Sequence, residues 1–303
     1  MKYNNPFTQP GHWYRGNTHS HSSASDGTRS VSECIEGYKQ QGYDFLVLTD
    51  HHIVSDVSRY SNDSFLAISG SEIHPDNPYG GTPFHIVAIN LHQKIEAKNM
   101  HPNEVMAEVA EQGGISVLAH PYWSGHTLVD LLPLHGYFAL EVFTATCDKI
   151  GRAISESHWD ELLDRDVSVF GIASDDSHGL SDLYHGWIVV KCSELSNKSI
   201  MHSLVQGFFY SSQGPEIVDF RIQDSNCPGS EKGDINSRRI IAKFSPSVSV
   251  VFKSTPQKGK HIRAKGDQFL TDAFFDIMGD EKYVRLEITA PDGKKAWSQP
   301  IIF

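Results

Sequence analysis

His19-x-His21 puts two imidazoles on one side of an extended segment, because strand side chains repeat every second residue, and Asp26 follows on the turn Ser25-Asp26-Gly27. Such a pair can chelate one metal ion. The same residue types recur behind apolar runs. Thr49-Asp50-His51-His52 follows Phe45–Leu48, Glu72 follows Leu66–Ser69, His120-Pro121 follows Ile115–Ala119, and Asp175-Asp176-Ser177-His178 follows Val167–Ala173. Imidazole and carboxylate donors without thiolates suit Mn²⁺, Fe²⁺ or Zn²⁺ rather than a structural zinc site or a calcium cage. Any one of the 17 histidines read alone is an ordinary core or surface residue. Their repeated position at strand ends is what carries the reading.

The elements that must position these groups are legible from about Gly11 to Tyr210, where short apolar runs alternate with helix-like segments as in βα units around a parallel sheet or barrel. Ser30 and Glu33 form an S-x-x-E capping box, Val31, Ile35 and Tyr38 follow at helical spacing, and Gly42 ends the helix. Phe84–Ile89 and Leu140–Phe143 read as further strands, with helices through Val105 and Val109 and over roughly Ile154 to Leu163. In an α/β barrel the C-terminal ends of the strands converge on one face, so residues from distant segments meet in one site. His85, at the start of its run, is not placed by that rule.

After Gly214-Pro215 the periodicity changes to alternation: Val248, Val250 and Phe252, then Val284, Leu286 and Ile288, with Pro291-Asp292-Gly293 as a turn before Trp297. A small antiparallel β-sandwich is expected over 213–303 after a barrel over 1–212, the alternative being an extension that completes the barrel. Ser225 to Ser237 reads as its polar loop. Trp297 reads as core rather than as a binding platform.

At 303 residues, against about 150 per domain, the chain is long enough for two modest domains or one large one. With 26 Lys+Arg against 37 Asp+Glu the formal net charge is −11, which argues against attraction to a nucleic-acid polymer or an anionic membrane. Four scattered cysteines form no CxxC pair, no apolar run approaches the ~18 residues of a membrane span, and Met1–Arg15 shows no basic-then-apolar leader pattern. The expected compartment is the cytoplasm.

These motifs resemble the PHP (polymerase and histidinol phosphatase) superfamily of metal-dependent phosphoesterases over about residues 1–210. In that family an HxHxxxSDG motif, TDH, a Glu, a His, AHP and a final DxH supply the ligands of a two- or three-metal cluster in a distorted (β/α)7 barrel. The resemblance implies His19, His21, Asp26, His51, Glu72, His85, His120, Asp176 and His178 as ligands of Mn, Zn or Fe ions. It implies His19, His21 and Asp176 on one ion, His85 and His120 on a second, Asp26, His51 and His178 on a third, and Glu72 bridging the first two. Trp159-Asp160-x-Leu162-Leu163, Gly171 to His178 and Ala296-Trp297-Ser298-Gln299-Pro300 are similar to a branch that includes carbaryl hydrolases.

Clustered divalent ions lower the pKa of bound water from 15.7 toward about 7, so the expected activity is hydrolysis of a small phosphate ester by a metal-bridged hydroxide. A carboxyl or carbamate ester on the same cluster, or a non-catalytic module, are the alternatives. Asp50 is expected to orient an imidazole, Asp175 to support its neighbouring ligand, and Glu141 to serve at the strand mouth. Arg15, Lys149 and Arg152 are candidates for binding substrate phosphate or carboxylate, and His52 for the leaving-group acid, with His74, His126 and His185 also near ligands.

Overall fold

The computed structural model describes residues 5–224 and 238–303, so the polar loop expected over Ser225–Ser237 lies outside the described residues. The first strands are β1 (His12–Asn17), β2 (Phe45–Leu48), β3 (Leu66–Ile73), β4 (Ile86–Ile89), β5 (Ile115–Leu118), β6 (Tyr137–Thr144), β7 (Phe170–Ser174), β8 (Trp187–Cys192) and β9 (Phe209–Ser212). Between them lie α1 (Val31–Gln40), α2 (Pro102–Glu111), the single turns α3 (Pro121–Ser124) and α4 (Leu128–Leu131), α5 (Glu156–Asp164) and α6 (Asn197–Gln206). The architecture is mixed α/β. β1, β2 and β3 are mutually parallel, as are β5, β6 and β7.

Local chemistry explains the helices. The Ser30 hydroxyl accepts from Glu33 N and the Glu33 carboxylate from Ser30 N, which fixes the start of α1. Its apolar face, Cys34, Ile35 and Tyr38, packs with Leu46, Leu48 and Phe65, each such burial contributing about 1.5–3 kcal/mol. α5 buries Trp159, Leu162 and Leu163, and the Trp159 indole N–H donates to Val169 O at 2.9 Å. That indole lies against Gly171, where a Cβ would come within 2.6 Å of the ring.

The sheet departs from a regular βα alternation. β4 runs antiparallel to both β3 and β5, and β8 antiparallel to β1. No α-helix separates β3 from β4 or β7 from β8, and a parallel return needs a crossover that is usually a helix. At the exits of β1 and β7 the chain nevertheless closes on itself: Asp176 N donates to His19 O at 2.9 Å and His21 N to Ser177 O at 3.0 Å. Ser211 ties β7 to β9, its hydroxyl donating to Gly171 O and accepting from Ala173 N.

The remaining strands are β10 (Ile217–Asp224), β11 (Arg238–Ser247), β12 (Ser249–Ser254), β13 (Gly259–Arg263), β14 (Leu270–Asp276), β15 (Tyr283–Thr289), β16 (Lys295–Ser298) and β17 (Ile301–Ile302). β10, β11 and β14 form one antiparallel sheet. β12, β13, β15, β16 and β17 belong to the other, and because β16 pairs with β9 it is continuous with the first part of the chain. Phe220, Ile240, Phe244, Phe252, Phe275 and Leu286 share one core among these strands. Trp297 is fully buried and donates its N–H to Glu156 of α5, which joins β16 to the helices.

Candidate metal centre

One edge of the sheet collects the polar residues. His19 and His21 follow β1, Asp50 and His51 follow β2, Glu72 sits near the end of β3, His120 follows β5, Glu141 lies in β6, and Asp176 follows β7. His85 reaches the same edge because β4 is antiparallel and begins where its neighbours end. The strand-end rule could not place it, and the reversed strand is the reason.

Glu72 is the hub. Its Oε2 lies 3.2, 3.3 and 3.0 Å from ring nitrogens of His19, His21 and His51, while Oε1 lies 2.7, 3.4 and 3.5 Å from those of His85, His120 and His74. Asp176 Oδ1 is 3.2 Å from His19 Nε2 and 3.0 Å from His21 Nε2. Asp26, with a half-exposed side chain, approaches His51 Nε2 and His178 Nε2 at 3.4 Å each. The structure thus brings together all nine residues singled out as ligands, in overlapping groups: His21, Asp26, His51 and His178; His19, His21, Glu72 and Asp176; Glu72, His85 and His120; and His51, Glu72 and His74.

The donor set fits cations. His19 Nε2 and His21 Nε2 stand 3.1 Å apart, while His21 Nδ1, His51 Nδ1 and His74 Nε2 are buried without a hydrogen bond. Buried polar atoms are ordinarily paired, and lone pairs converging on ionised carboxylates repel unless positive charge lies among them. Burial works against charge on His19, yet Asp176, Glu141 and Glu72 hold its imidazole well above the ordinary value. His21 is pushed up to about 9, its hydrogen bonds to Asp176 and Glu72 outweighing burial. Burial alone would raise the Glu72 carboxyl, but His19 and the hydrogen bonds from His120, His19 and His21 hold it well below the usual range. The field strongly favours positive charge, for which protons and metal ions compete.

Other carboxylates hold the donors in place. Glu141 Oε1 accepts from His19 Nδ1 at 2.8 Å and from the Ser174 hydroxyl at 2.6 Å, while Oε2 accepts from His120 N and the Thr144 hydroxyl. Asp175 accepts from the Tyr38 hydroxyl and from the backbone N–H of Tyr184, His185 and Gly186, so it fastens the loop after β7. Asp50 differs from expectation. Its carboxylate takes Ser22 N, the Ser22 hydroxyl and the Ser25 hydroxyl rather than an imidazole, because the chain after His21 turns back over it. It braces the loop that carries Asp26. His120 (φ 28°) and Asp176 (φ 52°) both adopt left-handed backbone, a strain of about 1–3 kcal/mol each, which the packed strand ends impose.

A cavity of about 400 Å³ opens over the cluster, lined by Asp26, Glu72, His85, Asp176, Trp123 and Lys149 among others. Lys149 is exposed at its rim, Nζ 2.6 Å from Asp182 Oδ1. Trp123, which the sequence reading did not single out, stands edge-on to His120 and His85 at 4.9 and 5.7 Å. Its signal was its place one turn after the AHP motif. The other basic candidates lie elsewhere. Arg15 is sandwiched between the rings of Tyr43 and Trp187 at 4.0 and 3.7 Å, on the part of β1 that precedes the convergent edge. Arg152 rests over Tyr122, away from the cavity lining. His52 does not line the cavity; its ring meets His74 at 4.8 Å. His126 stacks on Phe84 and His185 Nε2 lies 3.2 Å from Ser181 O.

With this geometry established, comparison with solved structures places the fold. A two-domain protein from Bacteroides vulgatus, described as containing a predicted PHP-like metal-dependent phosphoesterase, superposes with a TM-score of 0.55 at 16% identity, over 100% of this chain and 99% of its own. The two chains share a fold. An amidohydrolase from Chromobacterium violaceum (TM-score 0.40, 15% identity, 55% of this chain and 88% of that one) and a lesion-specific endonuclease from Pyrococcus furiosus (0.44, 13%, 64% and 56%) are more distant likenesses. No protein-family model matches, and no curated protein matches by sequence. Among the described residues no helix is long and apolar enough to cross a membrane.

Proposed function

We propose that this chain is a metal-dependent hydrolase of the PHP superfamily, a cytoplasmic phosphoesterase acting on small phosphate esters. The observation that carries the reading is the Glu72 carboxylate set among six imidazoles at the floor of an open cavity. The shared fold with a protein described as containing a phosphoesterase of that kind supports it. The curl that brings the exits of β1 and β7 together supports a distorted barrel over 1–212, and the shared core of the later strands supports a β-sandwich-like domain over 213–303.

His19, His21, Glu72 and Asp176 would hold one divalent ion, Glu72, His85 and His120 a second, and Asp26, His51 and His178 a third. When bound, such ions make water acidic enough to serve as a nucleophile near neutrality and neutralise charge on phosphoryl oxygens. The protein does the rest. Glu141 accepts a hydrogen bond from His19 Nδ1–H and so leaves the Nε2 lone pair free for a metal ion; the Asp176 carbonyl, 2.9 Å from His178 Nδ1, does the same for that ring. Lys149 binds the anionic substrate at the rim by leaving Asp182, and Trp123 walls off water beside His120. Of the segments behind the carbaryl-hydrolase likeness, Gly171 to His178 brings Asp176 and His178 to the cavity lining, while Trp159 and Trp297 are buried in the core and are not among the lining residues.

The test is a panel of phosphomonoesters, phosphodiesters, nucleotide bisphosphates and aryl carbamates presented to the Mn²⁺-loaded chain, with Asp176→Ala as blank. Phosphate release lost in the blank supports the proposal. Phenol release from carbamates without phosphatase activity would reassign the chemistry to carbamate and ester hydrolysis.

A further inference from the structure

His74 stands two residues beyond Glu72 and is not among the nine residues that the PHP resemblance implies as ligands. Its ring stacks on His85 with centroids 3.8 Å apart and meets His51 edge-on at 4.6 Å. Its Nε2 lies 3.5 Å from Glu72 Oε1, and His51 Nδ1 lies 3.0 Å from Glu72 Oε2. Both nitrogens are buried and neither makes a hydrogen bond. Two unpaired imidazole nitrogens therefore flank the two oxygens of one carboxylate, with a donor atom from each of the three residues within 4.8 Å of the others.

We propose that His74 Nε2, His51 Nδ1 and a Glu72 oxygen form a divalent-cation position, which makes His74 a tenth donor of the cluster. This rests on the metal-dependent reading of the same site. Two imidazoles and a carboxylate suit Mn²⁺, Fe²⁺ or Zn²⁺, and three protein donors leave room for a water or substrate oxygen. His51 turns its other nitrogen, Nε2, toward Asp26 at 3.4 Å; a neutral imidazole carries one lone pair, so filling both positions at once releases the ring proton to solvent, which couples their occupancy. A ring that only filled the wall beside His85 would leave metal uptake indifferent to its removal.

The experiment compares the native chain with His74→Ala and His74→Gln, each stripped of metal and titrated with Mn²⁺, reading ions per chain by elemental analysis and Kd by calorimetry. Melting of the stripped forms checks that each variant folds, the Gln variant retaining most of the side-chain volume. We expect either variant to hold one ion fewer per chain, or to bind its weakest ion at least about tenfold more weakly, the scale on which metal-site contacts act. Native stoichiometry and affinity in both variants would overturn the proposal. A native chain that takes up no Mn²⁺, Zn²⁺ or Fe²⁺ would overturn the metal reading itself, and is recognised before any variant is made.

Discussion

Glu141 Oε1 lies 2.8 Å from His19 Nδ1, on the side of the ring opposite Glu72 and Asp176. A carboxylate only accepts, so this contact fixes the His19 tautomer and turns the Nε2 lone pair into the cluster. In Glu141→Gln one oxygen becomes an NH₂ group, so either the pair His19 and Ser174 or the pair His120 N and Thr144 loses its acceptor, and both pairs lose the negative charge. Mn²⁺ affinity measured by calorimetry should fall about 10- to 100-fold. Native affinity in the variant would show that the contact has no hold on the ring.

Lys149 lines the cavity over the cluster and is proposed to meet substrate at its rim. Lys149→Ala should raise KM for a phosphate ester by about tenfold, the lower end for a charge-assisted hydrogen bond at an exposed site, and leave kcat within a few-fold. A fall in kcat at constant KM would move Lys149 from binding to the chemical step.

If the cluster binds metal only in the folded chain, removing the metal should lower stability. Metal bound only by the folded state adds about 2.7 kcal/mol at a hundredfold excess over Kd. Stripping with a chelator should therefore lower Tm by roughly 4 °C, at about 2.1 cal/mol/K of unfolding entropy per residue, and Mn²⁺ should restore it. Asp176→Ala should show a smaller shift, and an equal shift in that variant would place the stabilising ions elsewhere.

Glu156 links α5 to β16, its Oε1 accepting from Lys295 Nζ and from the Trp297 indole N–H at 2.9 Å each. Burial would raise its carboxyl, but Lys295 and Arg285 hold it below the ordinary 4.5. A lowered folded-state value gives stability that is present above about pH 4.5 and is lost as pH falls through the folded value. Glu156→Gln should be less stable than the native chain at pH 7, by about 1–3 kcal/mol, and the gap should shrink below pH 4 in urea melts. A gap that does not change with pH would remove Glu156 as its source.

What the sequence displays, and what it hides, follows from the range of the interactions. The Ser30–Glu33 box and the Val31, Ile35, Tyr38 stripe are local, and α1 follows them residue for residue. The groups after β2, β3, β5 and β7 are legible because strand ends converge whatever lies between them. His85 escapes that rule because strand direction depends on the connection after β3, which is not written in β4 itself. Arg15 looks like an anion binder until its partners, Tyr43 and Trp187, arrive from 28 and 172 residues away. Asp50 shows the same limit: its place in a TDH motif does not reveal that Ser22 and Ser25 fold over it. The alternation of Val284, Leu286 and Ile288 announces β15, but not that β16 would pair with β9 and join both parts into one sheet.

The measurement that bears most directly on the central claim is turnover of a phosphate ester as Mn²⁺ is titrated into the stripped chain, beside Glu72→Gln, which keeps the side-chain volume and removes the charge that six imidazoles share. Turnover should rise in step with ions bound per chain and should be lost in Glu72→Gln. Equal turnover by the stripped chain, or by Glu72→Gln, would contradict a metal-dependent hydrolase built on this cluster.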